Sequence, residues 1–255
     1  MATNERMSSI EQSATTTGSK HMNTNRQAAS TMASSRKIAL VAGVLYLLTF
    51  VSVPTLALYG QVKSANYIIG AGPDTTVIIA GILEIIVALA GIGTAVVLFP
   101  VLKKQNESAA LGLVAARILE SSTIFLGVAF LLSIVTLRQV GAGADALVTS
   151  KTLAILYDRI FLLGQSFMPA ICDLLLGFML YKSRLVPRAL SVIGRVGGPL
   201  LIVGYLAVLF GLVGQRDLLA GLSALTVALF EFSLGIWLIV KGFNPSAANE
   251  LLNEA

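Results

Sequence analysis

The chain has 255 residues, of which 56% are hydrophobic and 12% charged, whereas charged residues make up about a quarter of a soluble domain. This composition excludes an ordinary soluble domain and indicates a membrane protein. The formal net charge of +5 does not indicate nucleic acid as a partner, because a basic excess in a membrane protein usually reports its topology.

The first 35 residues are rich in Ser, Thr, Asn and Ala and contain no apolar run. Such a segment buries too little apolar surface to order itself, so residues 1–35 are predicted to be a disordered cytoplasmic tail. Residues 36–242 are predicted to form a six-helix transmembrane domain, and residues 243–255 a short C-terminal tail.

Six apolar runs are long enough for the roughly 20 residues that a membrane-spanning helix needs. None of them alternates apolar and polar residues as the strands of an outer-membrane barrel do. The runs cover residues 38–59, 76–99, 109–137, 153–181, 190–213 and 218–240, and they are numbered helices 1 to 6. The predicted fold class is therefore all-α: a polytopic membrane protein with a six-transmembrane-helix bundle.

Lys and Arg residues near the ends of these helices predict the orientation of the bundle. The side that carries both termini has Arg26, Arg36, Lys37, Lys103, Lys104, Lys182, Arg184, Arg188, Arg195 and Lys241. The opposite side has Lys63, Arg138, Lys151 and Arg216. Because cytoplasmic connections carry the excess of Lys and Arg, both termini are predicted to be cytoplasmic.

Short polar residues and prolines mark the ends and interruptions of the predicted helices. Asp74 is predicted to cap helix 2 and Asp217 to cap helix 6, because a carboxylate accepts hydrogen bonds from the free N–H groups of a first turn. Proline interrupts three helices, at Pro54, Pro169 and Pro199. Such breaks persist in membranes where neighbouring groups satisfy the freed carbonyls.

The predicted cytoplasmic hairpin between helices 4 and 5 reads LYKSRLVPRALSVIG, from Leu180 to Gly194. A helix that ends in an aromatic and basic pair, a Ser-Arg-Leu-Val-Pro-Arg turn and a re-entering helix resemble the signature of the bacterial membrane family of domain of unknown function 4386. The resemblance extends from about Arg36 to Lys241. It implies a six-helix fold in the bacterial cytoplasmic membrane, and it supplies no known activity or catalytic residue.

Five ionisable side chains lie deep within the predicted spans: Glu84, Arg117, Glu120, Asp173 and Glu231. Each costs about 3 kcal/mol at mid-membrane, so these side chains are expected to face the bundle interior. Small residues at helical spacing around each glutamate also indicate helix contacts. From the helical rise, the five are predicted to share one layer, in which four carboxyl groups meet one guanidinium. Some of these acids are expected to be protonated, to bind a cation or to contact water.

Two interpretations of this layer remain open. In the first, it forms a site for a proton, a cation or a small polar ligand, in transport or ligand binding. Asp158, Gln165 and Pro169 recur at helical spacing towards Asp173 and are then an access stripe. In the second, the charges only specify helix packing in a structural or accessory membrane subunit. Arg117 is expected to pair with Glu120 on its own helix, with a second contact across helices.

Other functional classes have little support in the sequence. It contains no HExxH, GxSxG or P-loop motif, and its single histidine, His21, lies in the tail, so no catalytic residue is assigned. With one cysteine, Cys172, metal sites built on Cys or His clusters are excluded, and no cofactor is expected. The lipid bilayer is the expected partner. Small-residue faces such as that of Gly194 and Gly198 are expected to pack within the chain, with contact to a second copy or another membrane protein as the alternative.

Overall fold

The computed structural model describes residues 32–64, 66–70 and 72–253. These residues are largely helical, with no strand among them, and six helices are long and apolar enough to cross a membrane. The predicted all-α class and the six spans are therefore confirmed. Residues 1–31 of the predicted tail lie outside the described residues.

The second, third and fourth spans extend further into the polar flanks than their apolar runs do. The first three are α1 (Met32–Ser52), α3 (Asp74–Gln105) and α4 (Glu107–Gln139), with the short α2 (Thr55–Leu58) between α1 and α3. The fourth consists of α5 (Leu147–Phe161), a π-helical segment (Leu162–Phe167) and α6 (Met168–Ser183). The last two are α7 (Arg188–Leu209) and α8 (Leu218–Val240), and α9 (Pro245–Asn253) follows.

Helix 1 was predicted over residues 38–59, but α1 begins earlier and ends sooner. Its last turn is the 3-10 helix Thr49–Ser52, and Pro54 then precedes α2. Proline has no backbone N–H and cannot continue the helical hydrogen-bond pattern, which accounts for the break. Beyond α2, the buried residues Tyr59 and Tyr67 pack against the ends of α3, α4 and α5.

Neither predicted aspartate cap forms. The backbone N-cap of α3 is Pro73, and Asp74 instead accepts hydrogen bonds from Arg138 (2.7 Å) and Tyr67 (2.6 Å), which ties α3 to α4. Asp217 accepts from the backbone N–H of Gly214 at 2.7 Å and makes no bond to the first turn of α8. Both carboxylates therefore stabilise connections between helices.

The two ends of the described chain meet at one end of the bundle. Arg36 of α1 donates to the backbone carbonyls of Leu238 (2.9 Å) and Ile239 (2.6 Å), which lie in the last turn of α8. A cation at this position also interacts favourably with the C-terminal end of the helix dipole. We call this the terminal end of the bundle; the opposite end carries the α1–α3, α4–α5 and α7–α8 connections.

Glycine allows close helix packing within the chain. A Cβ on Gly177 of α6 would lie 3.1 Å from the Ser191 carbonyl oxygen and 2.9 Å from the Arg195 backbone nitrogen, both in α7. Gly194 faces the Phe230 ring of α8, and Gly198 faces the Ala170 carbonyl of α6. The small residues of α7 therefore contact neighbouring helices of the same chain.

Two apolar clusters fill the bundle, one towards each end. On α4, the cluster at the terminal end includes residues up to Ala116, and the cluster at the opposite end begins at Leu131. Arg117 and Glu120 lie between these positions and are buried. On α4, the buried charges thus occupy the stretch between the two apolar clusters.

Candidate functional site: a buried charged cluster

Arg117 is the centre of the buried charges. Arg117 belongs to α4 and is 2% exposed. One terminal nitrogen of its guanidinium donates to Glu120 at 2.9 Å, one turn along the same helix. The other terminal nitrogen donates to Glu231 of α8. The ring of Tyr46, on α1, lies 5.9 Å from the guanidinium carbon. Arg117 therefore connects α4 with α8 beside α1, through the local and the cross-helix contact that its position suggested.

Asp173 adds a third carboxyl group from α6. The residue is 0% exposed, and neither carboxylate oxygen has a hydrogen-bond partner among the described residues. Its side chain lies close to Glu231 and Arg117, without a hydrogen bond to either. The neighbouring thiol of Cys172 lies 3.7 Å from Glu120 and donates to it. We refer to Arg117, Glu120, Asp173 and Glu231 as the Arg117 cluster.

The Arg117 cluster contains more carboxyl groups than cations. With every group ionised, three carboxylates would face one guanidinium in an environment with little solvent. An uncompensated buried charge is strongly unfavourable, whereas two carboxyl groups that share a proton form a favourable hydrogen bond. The contact between Asp173 and Glu231 is therefore a place for a proton or another cation.

Glu84 was predicted to share this layer, but the structure places it elsewhere. Ser121 of α4 donates to the Ala88 carbonyl of α3 at 2.8 Å, which aligns these two helices. Glu84 lies one turn from Ala88 towards the end opposite the termini. Arg117 lies one turn from Ser121 towards the terminal end. Glu84 and Arg117 are therefore about 11 Å apart along the bundle. The apolar runs already placed Glu84 about 10 Å deeper than Arg117, so the prediction of one shared layer was wrong because it disregarded this difference.

Glu84 forms a separate site with aromatic hydroxyl groups. It is 1% exposed and accepts a hydrogen bond of 2.8 Å from Tyr157 of α5. Tyr59, in the connection after α2, lies beside both groups. Burial first, and then the Glu84 carboxyl, raises the pKa of the Tyr59 phenol well above its ordinary value. The Tyr59 hydroxyl therefore keeps its proton beside Glu84, although it forms no hydrogen bond with the described residues.

A cavity of about 270 Å³ reaches the Arg117 cluster. Arg117, Glu120 and Glu231 line it together with the polar residues Thr49, Ser52, Ser121, Gln165 and Ser166. Its remaining walls are formed by apolar residues from all six spans. Asp173 does not line this space and lies behind Glu231. One liquid water occupies about 30 Å³, so the cavity has room for several waters or a small molecule.

A second cavity, of about 420 Å³, lies at the end of the bundle opposite the termini. Asp158 forms an ion pair of 2.6 Å with Lys63 in its wall, and the α7–α8 connection contributes Gln215 and Arg216. Phe161 lines both this outer cavity and the cavity at the Arg117 cluster. The aromatic ring therefore lies between the two spaces.

The proposed access stripe is distributed over both cavities. Asp158 lines the outer one, while Gln165 and Pro169 line the inner one. The π-helical segment Leu162–Phe167 lies between Asp158 and Pro169 and replaces regular α-helical spacing there. Short π-helical segments are common at functional sites, because they shift side chains out of the regular helical positions.

Several residues of the site were not identified from the sequence. Tyr46, Tyr157 and Phe161 lie in apolar runs, where an aromatic residue usually belongs to the core. Lys63 was read only as a topology marker. In the described part of the chain, no group of three or more His, Cys, Asp or Glu side chains is arranged to hold a metal ion.

The comparisons identify a family without an assigned activity. The family described as a domain of unknown function (DUF4386) matches residues 41–242, which include every residue of both cavities and of the Arg117 cluster. No curated protein and no solved structure matches the chain. By this match over most of its length, the chain belongs to the family of domain of unknown function 4386.

Proposed function

We propose that this chain is a multi-pass protein of the bacterial cytoplasmic membrane, with both termini cytoplasmic, that binds a small cationic or polar ligand or a proton at the Arg117 cluster. The single observation that carries this proposal is the cavity of about 270 Å³ that reaches Arg117, Glu120 and Glu231. A cluster with only a structural role needs no such space. Transport and ligand binding are the two activities that this site supports.

The charges of the cluster indicate a cation rather than an anion as its partner. Three carboxyl groups surround a single guanidinium, and Asp173 has no hydrogen-bond partner in the described residues. A cationic group in the cavity would reach Glu231 and Glu120 directly. When it binds Glu231, a proton held between Glu231 and Asp173 becomes dispensable and is released. The site is then an exchanger of a proton for a small cation.

The arrangement of the two cavities supports access from the predicted outer side. A ligand would pass the Lys63–Asp158 pair, then Phe161, and then Gln165 before it meets Arg117. Intramembrane ionisable residues that face a water-filled cavity commonly mark such pathways. Phe161 has the position of a gate, because rotation of its ring would join or separate the two spaces.

One observation favours the alternative, a structural or accessory subunit. The ion pair between Arg117 and Glu231 joins α4 to α8, and a buried pair of this kind fixes which helices associate. In that case the cluster would determine packing, and the cavity would remain without a ligand.

Uptake into proteoliposomes distinguishes the two functions. We expect two small cations, methylammonium and guanidinium, to enter proteoliposomes that contain the full chain. Protons should leave the vesicles in exchange, and a pH-sensitive dye enclosed in the vesicles reports this. Glu231→Gln and Asp173→Asn should abolish the response. Glu107→Gln, an exposed acid at the start of α4, is the matched control and should retain it.

Ligand binding without transport has its own measurement. In detergent, the same two cations should raise the melting temperature of the wild-type chain and of Glu107→Gln, but not that of Glu231→Gln. If neither cation is transported and neither stabilises the wild-type chain, the cation site is rejected in favour of the structural subunit.

A further inference from the structure

A third cavity, of about 590 Å³, lies at the terminal end of the bundle, far from the Arg117 cluster. It is formed where α6 ends, α7 begins and α8 ends, and it includes the turn of the hairpin whose sequence resembles the family signature. Its lining includes Arg184, Arg188, Lys241, Trp237, Phe243 and Asn244. None of these residues belongs to the proposed cation site.

The charge of this cavity is entirely basic. Arg184, Arg188 and Lys241 line it, no acidic residue does, and none of the three forms an ion pair within the described part of the chain. Arg188 is held beside Tyr181, with 5.3 Å from its guanidinium carbon to the ring centre. Three unneutralised cations around one concave space favour an anionic ligand, and guanidinium groups match the oxygens of a phosphate.

Trp237 adds an aromatic ring to the wall of the cavity. Its indole nitrogen is buried and has no hydrogen-bond partner among the described residues, although buried Trp N–H groups usually find one. The residue lies one turn before the end of α8, so its ring is at the depth where tryptophan meets the interface of a bilayer. Because this nitrogen is not accessible from the cavity, Trp237 contributes its aromatic ring to the site and not a hydrogen-bond donor.

The surroundings favour a lipid as the source of the anion. On the same turns of α7 and α8 as Arg188 and Lys241, the apolar side chains Val192 and Val240 are exposed, at 41% and 62%. Apolar surface of this kind on a membrane-spanning helix faces acyl chains. A basic pocket between helices at this depth can therefore hold a head group while the acyl chains lie along α7 and α8.

We propose that this cavity is a binding site for the phosphate head group of an anionic phospholipid. Arg188 and Lys241 neutralise the phosphate, the Trp237 ring lies beside the head group in the wall of the cavity, and the acyl chains follow the exposed faces of α7 and α8. The proposal is independent of the cation site.

Trp237 provides a direct probe, because it is the only tryptophan in the chain. The full chain is reconstituted in nanodiscs in which a fixed fraction of the lipid carries brominated acyl chains, either as phosphatidylglycerol or as phosphatidylcholine. Bromine quenches tryptophan fluorescence on contact. We expect stronger quenching by the brominated phosphatidylglycerol at equal mole fraction, with relief when unlabelled phosphatidylglycerol competes.

Two double variants of equal charge separate the cavity from general electrostatics. Arg188→Gln with Lys241→Gln should lower the preference for phosphatidylglycerol by roughly 30-fold, because each basic residue near an anionic head group contributes about 1 kcal/mol. Lys37→Gln with Lys103→Gln removes two exposed cations that lie at the terminal end of the bundle but outside the cavity. This variant should change the preference for phosphatidylglycerol less than about threefold. Arg184 is left in place because its φ of 55° belongs to the turn after α6.

Three results would overturn the proposal. The first is equal quenching by both brominated lipids, and the second is an equal loss of preference in the two double variants. The third is full competition by millimolar inorganic phosphate, which would assign the cavity to a soluble phosphate. If the cavity variant loses its native circular dichroism spectrum, the single variant Arg188→Lys decides, since it keeps the charge and should retain most of the preference.

Discussion

Removal of the Arg117 guanidinium should destabilise the bundle more than removal of any exposed cation. In Arg117→Ala, Glu120 loses its partner one turn away on α4, and Glu231 loses its partner across the α4–α8 interface. Both carboxyl groups remain buried, with side-chain exposures of 10% and 12%. The variant therefore leaves two acids without the cation that neutralised them.

The expected cost follows from this burial. Breaking a buried ion pair by removing one partner costs about 3 to 5 kcal/mol, because the remaining charge stays desolvated. For a chain of this size, 1 kcal/mol corresponds to roughly 2 to 4 °C in melting temperature, so a decrease on the order of 10 °C is expected. The assay is thermal unfolding of the purified chain in detergent, followed by circular dichroism or by thiol labelling of the buried Cys172.

A matched control and a rescue variant test the cause of this loss. Arg159→Ala removes an exposed arginine of α5 and should change the melting temperature by less than about 2 °C. Arg117→Met with Glu231→Gln removes both charges and keeps most of the volume, so it should recover part of the stability. Equal melting temperatures for Arg117→Ala and Arg159→Ala, or a further loss in the double variant, would refute the pairing described above.

Three further variants test other parts of the structure. In a chain that carries Gln165→Cys, the added Phe161→Ala should make the new thiol react several-fold faster with a membrane-impermeant maleimide, since it opens the outer cavity to the inner one. Leu163→Ala changes an exposed neighbour and should leave the labelling rate unchanged. Gly177→Ala should destabilise the chain by about 1 to 3 kcal/mol in thermal unfolding, because the new Cβ meets the backbone of α7, while Gly221→Ala has open space and should be neutral or stabilising. Tyr67→Phe should cost about 2 kcal/mol through the lost hydrogen bond to the Asp74 carboxylate; an effect no larger than that of Tyr181→Phe would contradict the bond between the α1–α3 connection and α3.

The sequence was sufficient for the features that depend on one helix. Apolar length located all six spans, and the spacing of three residues placed Glu120 beside Arg117 on one helical face. Depth along the helices also identified Glu231 as one of two candidates for the second contact of Arg117. These features require only the helical rise and the cost of buried charge.

Features that depend on the exact ends of helices could not be predicted in this way. The apolar run of helix 2 stops at Phe99, yet α3 continues through Pro100 to Gln105. Lys103 and Lys104 favour the C-terminal end of a helix dipole and stabilise this extension. Hydropathy does not record that contribution, because it scores the same residues as polar flanks.

Features that depend on tertiary contacts were also missed. Tyr157 reads as a core residue until α5 lies beside α3 and its hydroxyl meets Glu84. The π-helical segment Leu162–Phe167 has no distinctive composition, because such segments form through local packing rather than through a residue preference. The two cavities and the position of Phe161 between them follow from these contacts.

Infrared difference spectroscopy tests the central claim, that the Arg117 cluster holds an exchangeable proton, most directly. Spectra of the reconstituted chain in acidic and alkaline buffer report the carbonyl stretch of protonated carboxylic acids. We predict a titrating carboxylic acid signal in the wild-type chain and in Glu107→Gln that is absent from Asp173→Asn and reduced by guanidinium at constant pH. An identical signal in the wild-type chain and Asp173→Asn, unaffected by guanidinium, would contradict the account.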